Sequence, residues 1–158
     1  MSTTTIQMTG ALEPRDGWSA DRCPMAHALD VVRNRSSFLV LREAFYGATR
    51  FEEFAQRTQL SEPVTAARLR ELTDAGLLER EPYQEPGQRT RRLYRLTEKG
   101  ADLVPVLVAL MQWGDRWALP GGARVEVRHR GCGAPVTAEL RCEHDHAVAR
   151  DELELALR

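Results

Sequence analysis

The spacing of apolar residues changes at Gly76, and this change most constrains how the chain folds. Before Gly76, apolar residues recur three or four positions apart in several segments, which is the spacing of helices that bury one face. After it, Leu77–Tyr83 and Arg91–Leu96 have the pattern of short strands, joined by a turn that contains Pro and Gly. The pattern therefore predicts a mainly α-helical domain with one small β-hairpin.

Capping residues place the predicted helices. Pro24 suits a first helical turn, Ser36 or Ser37 is a good N-cap, Gly76 ends a helix and Thr97 caps a long last one of about five turns. The helices are predicted at about 24–34, 37–47, 50–57, 63–75 and 97–119. Two short helices, a tight turn and a third helix form a helix-turn-helix, and the hairpin that follows is its wing.

We expect three segments along the chain. Residues 1–20 have no apolar periodicity and are predicted to be a flexible arm, residues 21–119 form the winged helix-turn-helix domain, and Pro120-Gly121-Gly122 opens a tail over 120–158. No internal repeat is apparent. The sequence contains no apolar run long enough to span a membrane and no pattern typical of an export signal, so we expect a cytoplasmic protein.

Three motifs resemble those of HxlR-type regulators, a group within the MarR-like winged helix-turn-helix proteins. They are Cys23-Pro24, the run Ala67–Arg80, and Tyr94–Gly100 with the sequence YRLTEKG. Each of the last two recurs in other winged helices, but in this order and with the leading cysteine they indicate this family over about 23–117. The resemblance implies a homodimer, joined through its first and last helices, that binds double-stranded DNA and represses or activates a nearby gene.

The fourth predicted helix is the candidate DNA-reading helix. At 100° per residue, Leu69 and Leu72 lie on its inner face, which leaves the opposite face for DNA. Val64 and Ala67 suit contacts with thymine methyl groups, and an arginine suits a guanine edge or a phosphate. The alternative is that these arginines only keep the outer face of the helix polar and in contact with water, without touching DNA. The candidate DNA contacts in and before this helix are Ser61, Val64, Thr65, Ala67, Arg68 and Arg70.

The start of this helix offers mixed evidence for an anion site. Ser61 is the predicted cap, and the backbone amides of Val64 and Thr65 are expected to face a phosphate. Glu62 opposes an anion there. Proteins of the resembled family often carry a lysine near position 63, where Pro63 provides no charge.

Arginines concentrate in the predicted wing. The formal net charge is −1, so composition alone does not indicate a nucleic-acid partner. Arg89, Arg91 and Arg92 nevertheless lie at or beside the hairpin tip, where side chains reach a minor groove or a DNA backbone. The alternative is a solvated hairpin balanced by Glu81 and Glu85.

Cys23 is the candidate redox-sensing residue. A thiol at a helix start lies at the positive end of the helix dipole, and Arg22 adds a second positive charge, so a reactive thiolate is expected. Several HxlR-type regulators use the matching cysteine to sense oxidants or quinones. The alternative is a small apolar side chain buried beside Met25 and Leu29.

The tail contains a candidate structural zinc site. His129 and Cys132, followed by Gly133, precede Cys142 and two further histidines. The candidate ligands are His129, Cys132, Cys142 and either His146 or His144. We favour His146, because its spacing from Cys142 is wider and Asp145 beside it can support the ligands. The alternative is a hairpin with buried cysteines and solvent-facing histidines.

These observations favour a dimeric transcription factor, most simply a repressor, and not an enzyme, since no base and nucleophile constellation stands out. Its DNA occupancy would respond to a thiol modification or to a small aromatic ligand held by Phe38, Phe45, Trp113 or Trp117. The alternative function is a protein-interaction module that has kept the winged helix and lost DNA reading.

Overall fold

The computed structural model describes residues 6–9, 19–84, 87 and 90–156. The chain divides into two compact units, Arg22–Ala123, which we call the core unit, and Met1–Asp21 together with Arg124–Arg158, which we call the terminal unit. The predicted boundaries at residues 20 and 120 lie close to these divisions. The predicted arm and tail, however, belong to the same unit.

The core unit holds the predicted helices and the predicted hairpin. The hairpin strands are antiparallel, with Leu78 opposite Leu96 and Tyr83 opposite Arg91, and they form the wing. No helix in the described part of the chain is both long and apolar enough to cross a membrane. In chain order the elements of this unit are α1 (Pro24–Val32), α2 (Arg35–Phe45), α3 (Phe51–Thr58), α4 (Glu62–Asp74), β2 (Leu78–Tyr83), β3 (Arg91–Leu96), α5 (Glu98–Ala101) and α6 (Val104–Trp117).

The cap of α2 differs from the prediction. Asn34 is the N-cap residue, and its side-chain oxygen accepts a hydrogen bond from the amide of Ser37 at 3.1 Å. The predicted caps Ser36 and Ser37 lie inside the helix. Asparagine caps helices as well as serine does, and Arg33 at a φ of 66° already ends α1 one residue earlier.

The predicted long last helix is two helices. Its first part, α5, ends at Ala101, and α6 begins at Val104. Pro105 lies in the first turn of α6 and has no amide hydrogen to donate, so it cannot continue the hydrogen bonds of α5. A proline is well tolerated in a first turn, so a new helix starts around it and the break falls at Asp102 and Leu103.

A single apolar core holds α4 in place. Leu69 and Leu72 of α4 are buried against Phe54 of α3 and Leu41 of α2. The ring of Phe54 also meets the ring of Tyr94 edge to face, at 6.1 Å between centroids, which joins the wing to the helices. The core also includes Val32, Val40, Ala48, Leu77, Leu78 and Leu107.

Hydrogen bonds tie the end of α4, the wing and the start of α5 together. The hydroxyl of Thr97 donates to the carbonyl of Gly76 at 2.7 Å and accepts from the amide of Gly100 at 3.1 Å. The ammonium group of Lys99 donates to the carbonyl of Ala75 at 2.7 Å. At the other side of the wing, the amide of Tyr94 donates to the carbonyl of Thr49 at 2.8 Å. The base of the wing is therefore fixed relative to α4.

In the terminal unit, part of the predicted flexible arm is a strand. Residues Gln7–Met8 form β1, which pairs in parallel with β4, Glu154–Leu155. The hydroxyl of Thr9 also donates to the carboxylate of Glu154 at 2.6 Å. Two residues give no periodicity to recognise, so the sequence did not indicate this pairing.

Two tight hairpins follow one another in the terminal unit. Arg128 bridges to Pro135 across the first turn, and Arg141 bridges to Ala147 across the second, both antiparallel. Each bridge arginine also forms an ion pair with a glutamate two residues before it, Glu126 or Glu139. The tail therefore contains a structural repeat that its sequence did not reveal.

Candidate nucleic-acid interface

The helix α4 presents one face to solvent, as its periodicity predicted. Val64 is exposed and Ala67 partly exposed on the face opposite Leu69, and Arg70 is exposed on the flank of that face. Ser61 precedes α4 as the N-cap residue, is exposed, and makes no hydrogen bond from its side chain to the helix. Its hydroxyl is therefore available to an outside partner such as a phosphate.

The structure removes Thr65 from the candidate DNA contacts. Its side chain is completely buried, and its amide donates to the carbonyl of Ser61 at 2.9 Å. The hydroxyl donates to the same carbonyl at 3.1 Å. The residue lies on the inner face with Leu69, and its backbone amide is already used inside the helix.

The two arginines of α4 differ in their environments. The guanidinium of Arg68 forms an ion pair with Glu71, one turn further along, at 2.9 Å, and only 20% of its side chain is exposed. Arg70 is exposed on the flank of the outer face of α4. Because the charge of Arg68 is already compensated, Arg70 is the stronger candidate for a contact with DNA.

In the wing, the predicted arginines fall into three cases. Arg92 is exposed near the start of β3. Arg91 is exposed as well, but it pairs with the carboxylate of Glu52 in α3 at 3.0 Å. Arg89 lies outside the described residues.

A groove between α3 and the wing brings Arg91 and Arg92 together on one surface. It is lined by Phe51, Glu52, Arg91, Arg92 and Tyr94. Arg50, which the sequence analysis did not select, lies just before α3, and its guanidinium is 5.2 Å from the centre of the Tyr83 ring. Tyr83 is paired with Arg91, so Arg50 adds positive charge close to the wing arginines.

The first turn of α3 carries an ionised glutamate. The carboxylate of Glu53 accepts hydrogen bonds from the amides of Thr49 and Arg50, at 2.9 and 3.0 Å. These two bonds, aided by the charges of Arg57 and Arg50, hold the pKa of Glu53 below its ordinary value of 4.5. The charged carboxylate thus fixes the residues at the start of α3, including Arg50.

Two helices of the core unit leave large apolar side chains in solvent. On α1, Met25 is 71% exposed and Leu29 is also exposed. On α6, Trp113 and Trp117 are 62% and 67% exposed, and they continue a stripe that begins with Val106 and Leu110. Surfaces of this kind usually mark contacts with another protein.

Cys23 lies directly before α1, as predicted. It is the N-cap residue, its backbone is extended, and its thiol is free and partly exposed. The neighbouring Met25 and Leu29 are exposed, so burial of the thiol among them does not occur within the core unit. The thiol is therefore accessible at the edge of the apolar face of α1.

The four aromatic residues proposed to hold a ligand are divided between core and surface. Phe38 and Phe45 pack against the apolar core, whereas Trp113 and Trp117 belong to the exposed stripe of α6. A small-molecule effector stays a prediction.

The predicted zinc ligands are brought together in part. The Nδ1 atom of His129 lies 3.1 Å from the sulfur of Cys132, and the rings of His144 and His146 are 6.2 Å apart between centroids. Cys132 and Cys142 are free and exposed, so the alternative of buried cysteines is wrong. Within the described residues, no three His, Cys, Asp or Glu side chains are close enough to hold a metal ion. Zinc binding stays a prediction.

The fold and this surface define a winged helix-turn-helix DNA-binding protein. The HxlR-like helix-turn-helix family model matches residues 31–121, and the chain belongs to this family. The family and its relatives are transcriptional regulators, so this chain is a transcriptional regulator and not an enzyme.

Three known proteins show how far the similarity extends. The chain is 40% identical over 121 residues to Rv3095 of Mycobacterium tuberculosis, an uncharacterized HTH-type transcriptional regulator. This alignment covers 76% of our chain and 75% of the relative. The crystal structure of PA1607, a candidate transcription factor, is 35% identical with a TM-score of 0.75 and covers 86% of this chain and 95% of its own. The structure of the redox regulator HypR in its oxidized form is 28% identical with a TM-score of 0.54, and the match covers 60% of our chain and 96% of HypR.

Proposed function

We propose that this regulator is a homodimeric repressor that leaves its operator when Cys23 is modified. The observation that carries the proposal is the pair of apolar faces on α1 and α6, which the core unit leaves uncovered. Trp113 and Trp117 are costly to leave in water at this exposure, and a second copy of the chain would cover them.

Dimerisation would set the distance between the two α4 helices that bind DNA. Two copies related by a twofold axis present two α4 helices, which suit a palindromic site with half-sites about one helical turn apart, near 34 Å. Occupying such a site blocks transcription without any further contact to the polymerase. Repression is therefore the simplest action of a dimer of this kind.

The dimer is tested by changing the apolar stripe. Leu110→Glu places a charge among apolar side chains of α6, and we expect it to convert a dimer into a monomer in sedimentation experiments over a range of concentrations. Glu98→Arg reverses a charge at an exposed position of α5, outside that stripe, and is the matched control. A wild-type protein that is monomeric at every concentration would contradict the proposal.

DNA binding is tested by fluorescence anisotropy on DNA from upstream of the protein's own gene, with random DNA as the control. The logarithm of affinity should fall with the logarithm of salt concentration, by about 0.9 for each phosphate neutralised. Arg70→Ala should weaken binding and reduce this slope by about 1, or relax specificity at one base pair if Arg70 reads a base. Arg68→Ala is the matched control, because its partner is Glu71.

The outcomes distinguish the two functions that the sequence left open. Tight, sequence-preferring and salt-dependent binding supports the repressor. Binding that is absent or indifferent to sequence on a library covering the genome would instead favour a protein-interaction module. A larger loss from Arg68→Ala than from Arg70→Ala would refute the assignment of Arg70.

The position of Cys23 supports a thiol switch. The thiol is accessible, and it lies at the start of α1, the helix that carries Met25 and Leu29 towards the proposed partner. A new bond at this sulfur would change the packing between subunits and hence the spacing of the two α4 helices. The similarity to the redox regulator HypR favours the same idea.

The switch is tested with the oxidant diamide, which takes up two electrons and two protons as two thiols form a disulfide. We expect diamide to release the wild-type protein from DNA and to leave Cys23→Ser bound. The control is the reduced state: Cys23→Ser should bind DNA as tightly as the wild type before oxidation, and dithiothreitol should restore DNA binding of the oxidised wild type. Equal release of Cys23→Ser would exclude Cys23 as the sensor.

A further inference from the structure

The two hairpins of the terminal unit share one pattern of residues and backbone contacts. Each begins with a glutamate, an apolar residue and an arginine, Glu126-Val127-Arg128 in the first and Glu139-Leu140-Arg141 in the second. Each then closes with the same pair of contacts, since the amides of Val136 and Val148 donate to the carbonyls of Val127 and Leu140, both at distances near 2.8–2.9 Å. The unit is therefore built from two copies of one hairpin.

This match decides which side chains occupy equivalent positions. The amide of His129 donates to the carbonyl of Ala134 at 2.8 Å, and the amide of Cys142 donates to the carbonyl of His146 at 3.1 Å. His129 is thus equivalent to Cys142. His146 is equivalent to Ala134, a residue with no metal-binding group.

Backbone φ angles identify a second pair of equivalent residues. Just before the closing residue, each turn has one residue with positive φ, Gly133 at 74° and Asp145 at 62°. The residues that precede these two are Cys132 and His144. The second turn is one residue shorter, so its two candidate ligands are separated by one residue and those of the first by two.

The first turn already has the geometry of half a metal site. With Zn–N near 2.0 Å, Zn–S near 2.3 Å and a tetrahedral angle, two such ligands of one zinc ion lie about 3.5 Å apart. The Nδ1 atom of His129 and the sulfur of Cys132 are 3.1 Å apart. Each turn can thus supply two ligands. A complete site requires the second turn to approach the first, since no three such side chains of the described residues lie within reach of one metal ion.

The described part of the terminal unit has neither a buried core nor a disulfide. None of its described residues is buried, and Val125 is 65% exposed. All three cysteines of the chain are described and free, so no disulfide joins the turns. Small units without a sufficient core usually need a metal, a disulfide or a partner chain.

We propose that the terminal unit binds one zinc ion per chain through the sulfurs of Cys132 and Cys142 and one ring nitrogen each of His129 and His144. In this proposal His146 lies outside the coordination shell, which differs from the preference for His146 drawn from spacing alone. Binding releases the two thiol protons to the buffer, and both histidines bind in their neutral form. Two thiolates balance the charge of Zn²⁺, and four protein ligands make the site structural. This inference is independent of the proposed thiol switch.

The test uses the full-length protein purified without chelators. We expect one zinc per chain by elemental analysis, and, after exchange for Co²⁺, the absorption of a tetrahedral cobalt site with thiolate ligands. His144→Ala should weaken Co²⁺ binding by more than the roughly 10–100-fold typical of changes outside the ligands, and should abolish the tetrahedral spectrum. His146→Ala is the matched control and should keep both stoichiometry and spectrum.

Three results would overturn the proposal. The first is a wild-type chain that holds no zinc and gives no tetrahedral cobalt spectrum when titrated. The second is loss of the metal from His146→Ala with retention in His144→Ala. The third is one zinc for two chains, which would place the ligands in different subunits. Since the wild-type spectrum is itself a readout, the proposal is testable even if a cysteine variant does not fold.

Discussion

The substitution Gly100→Ala tests how tightly the wing is joined to α5. A Cβ atom added at Gly100 would lie 2.1 Å from the carbonyl oxygen of Leu77 and 3.0 Å from a methyl group of Leu96. The first contact is with backbone, which has no rotamer to move. Either Leu77, directly before β2, or the start of α5 must therefore shift by about 1 Å to restore ordinary contact distances.

Two effects of opposite sign compete in this variant. Alanine is favoured over glycine inside a helix by about 1 kcal/mol, whereas overpacking of a fitted site costs about 1–3 kcal/mol and more when backbone must move. We expect overpacking to win, with a net loss of about 1–2 kcal/mol in the free energy of unfolding. For a unit of this size, that corresponds to a fall of roughly 5–15 °C in Tm.

The assay is thermal and urea unfolding at two protein concentrations, which separates the folding of the chain from any dissociation of subunits. The matched control is Gly114→Ala in α6, where an added Cβ meets nothing within 4 Å. That variant should be neutral or more stable by up to about 1 kcal/mol. If Gly100→Ala were also stabilised, the close approach of α5 to Leu77 would be refuted.

Two further substitutions test caps seen in the structure. Glu53→Gln should lower the free energy of unfolding by about 1 kcal/mol at neutral pH. Because the pKa of Glu53 is lowered in the folded protein, its contribution is complete above pH 4.5 and is lost as pH falls through that lowered pKa. The urea unfolding curves of wild type and variant should therefore converge in acid, and Glu79→Gln, at an exposed position, is the control that should change little. A difference that persisted at the lowest pH would contradict this sign. Asn34→Ala should cost about 1 kcal/mol, while Ser36→Ala should change stability by less than about 0.5 kcal/mol in thermal unfolding, and the reverse order would restore the cap predicted from the sequence.

Much of the core unit was predictable from the sequence, because it depends on local patterns. Apolar spacing placed α4 with Leu69 and Leu72 inward, and the change of period at Gly76 placed the wing strands to within one residue. These patterns report which face of an element is buried, and burial is what stabilises it. Pro105 could also have predicted the break between α5 and α6, but the apolar spacing continues across it and indicated one long helix.

Features that depend on contacts between distant segments were not predictable. Arg68 and Arg70 are the same residue type in the same helix, and the ion pair with Glu71 and the burial of Arg68 separate them. Arg50 is far from the wing in sequence and reaches it through the bonding of Thr49 to Tyr94. The repeat in the tail escaped notice because its second turn is one residue shorter, which shifts every later residue out of register.

The pairing of β1 with β4 has a consequence for synthesis of the protein. Gln7 leaves the ribosome early, but its partner Glu154 is added 147 residues later. At about 5–20 residues per second, β1 waits roughly 7–30 s for the strand that completes it, by which time the whole core unit has been made. The order of folding is thus set by the order of translation, with the reading helix and wing assembled first. A fusion partner attached to the amino terminus would therefore affect the pairing of β4, near the carboxyl end of the chain.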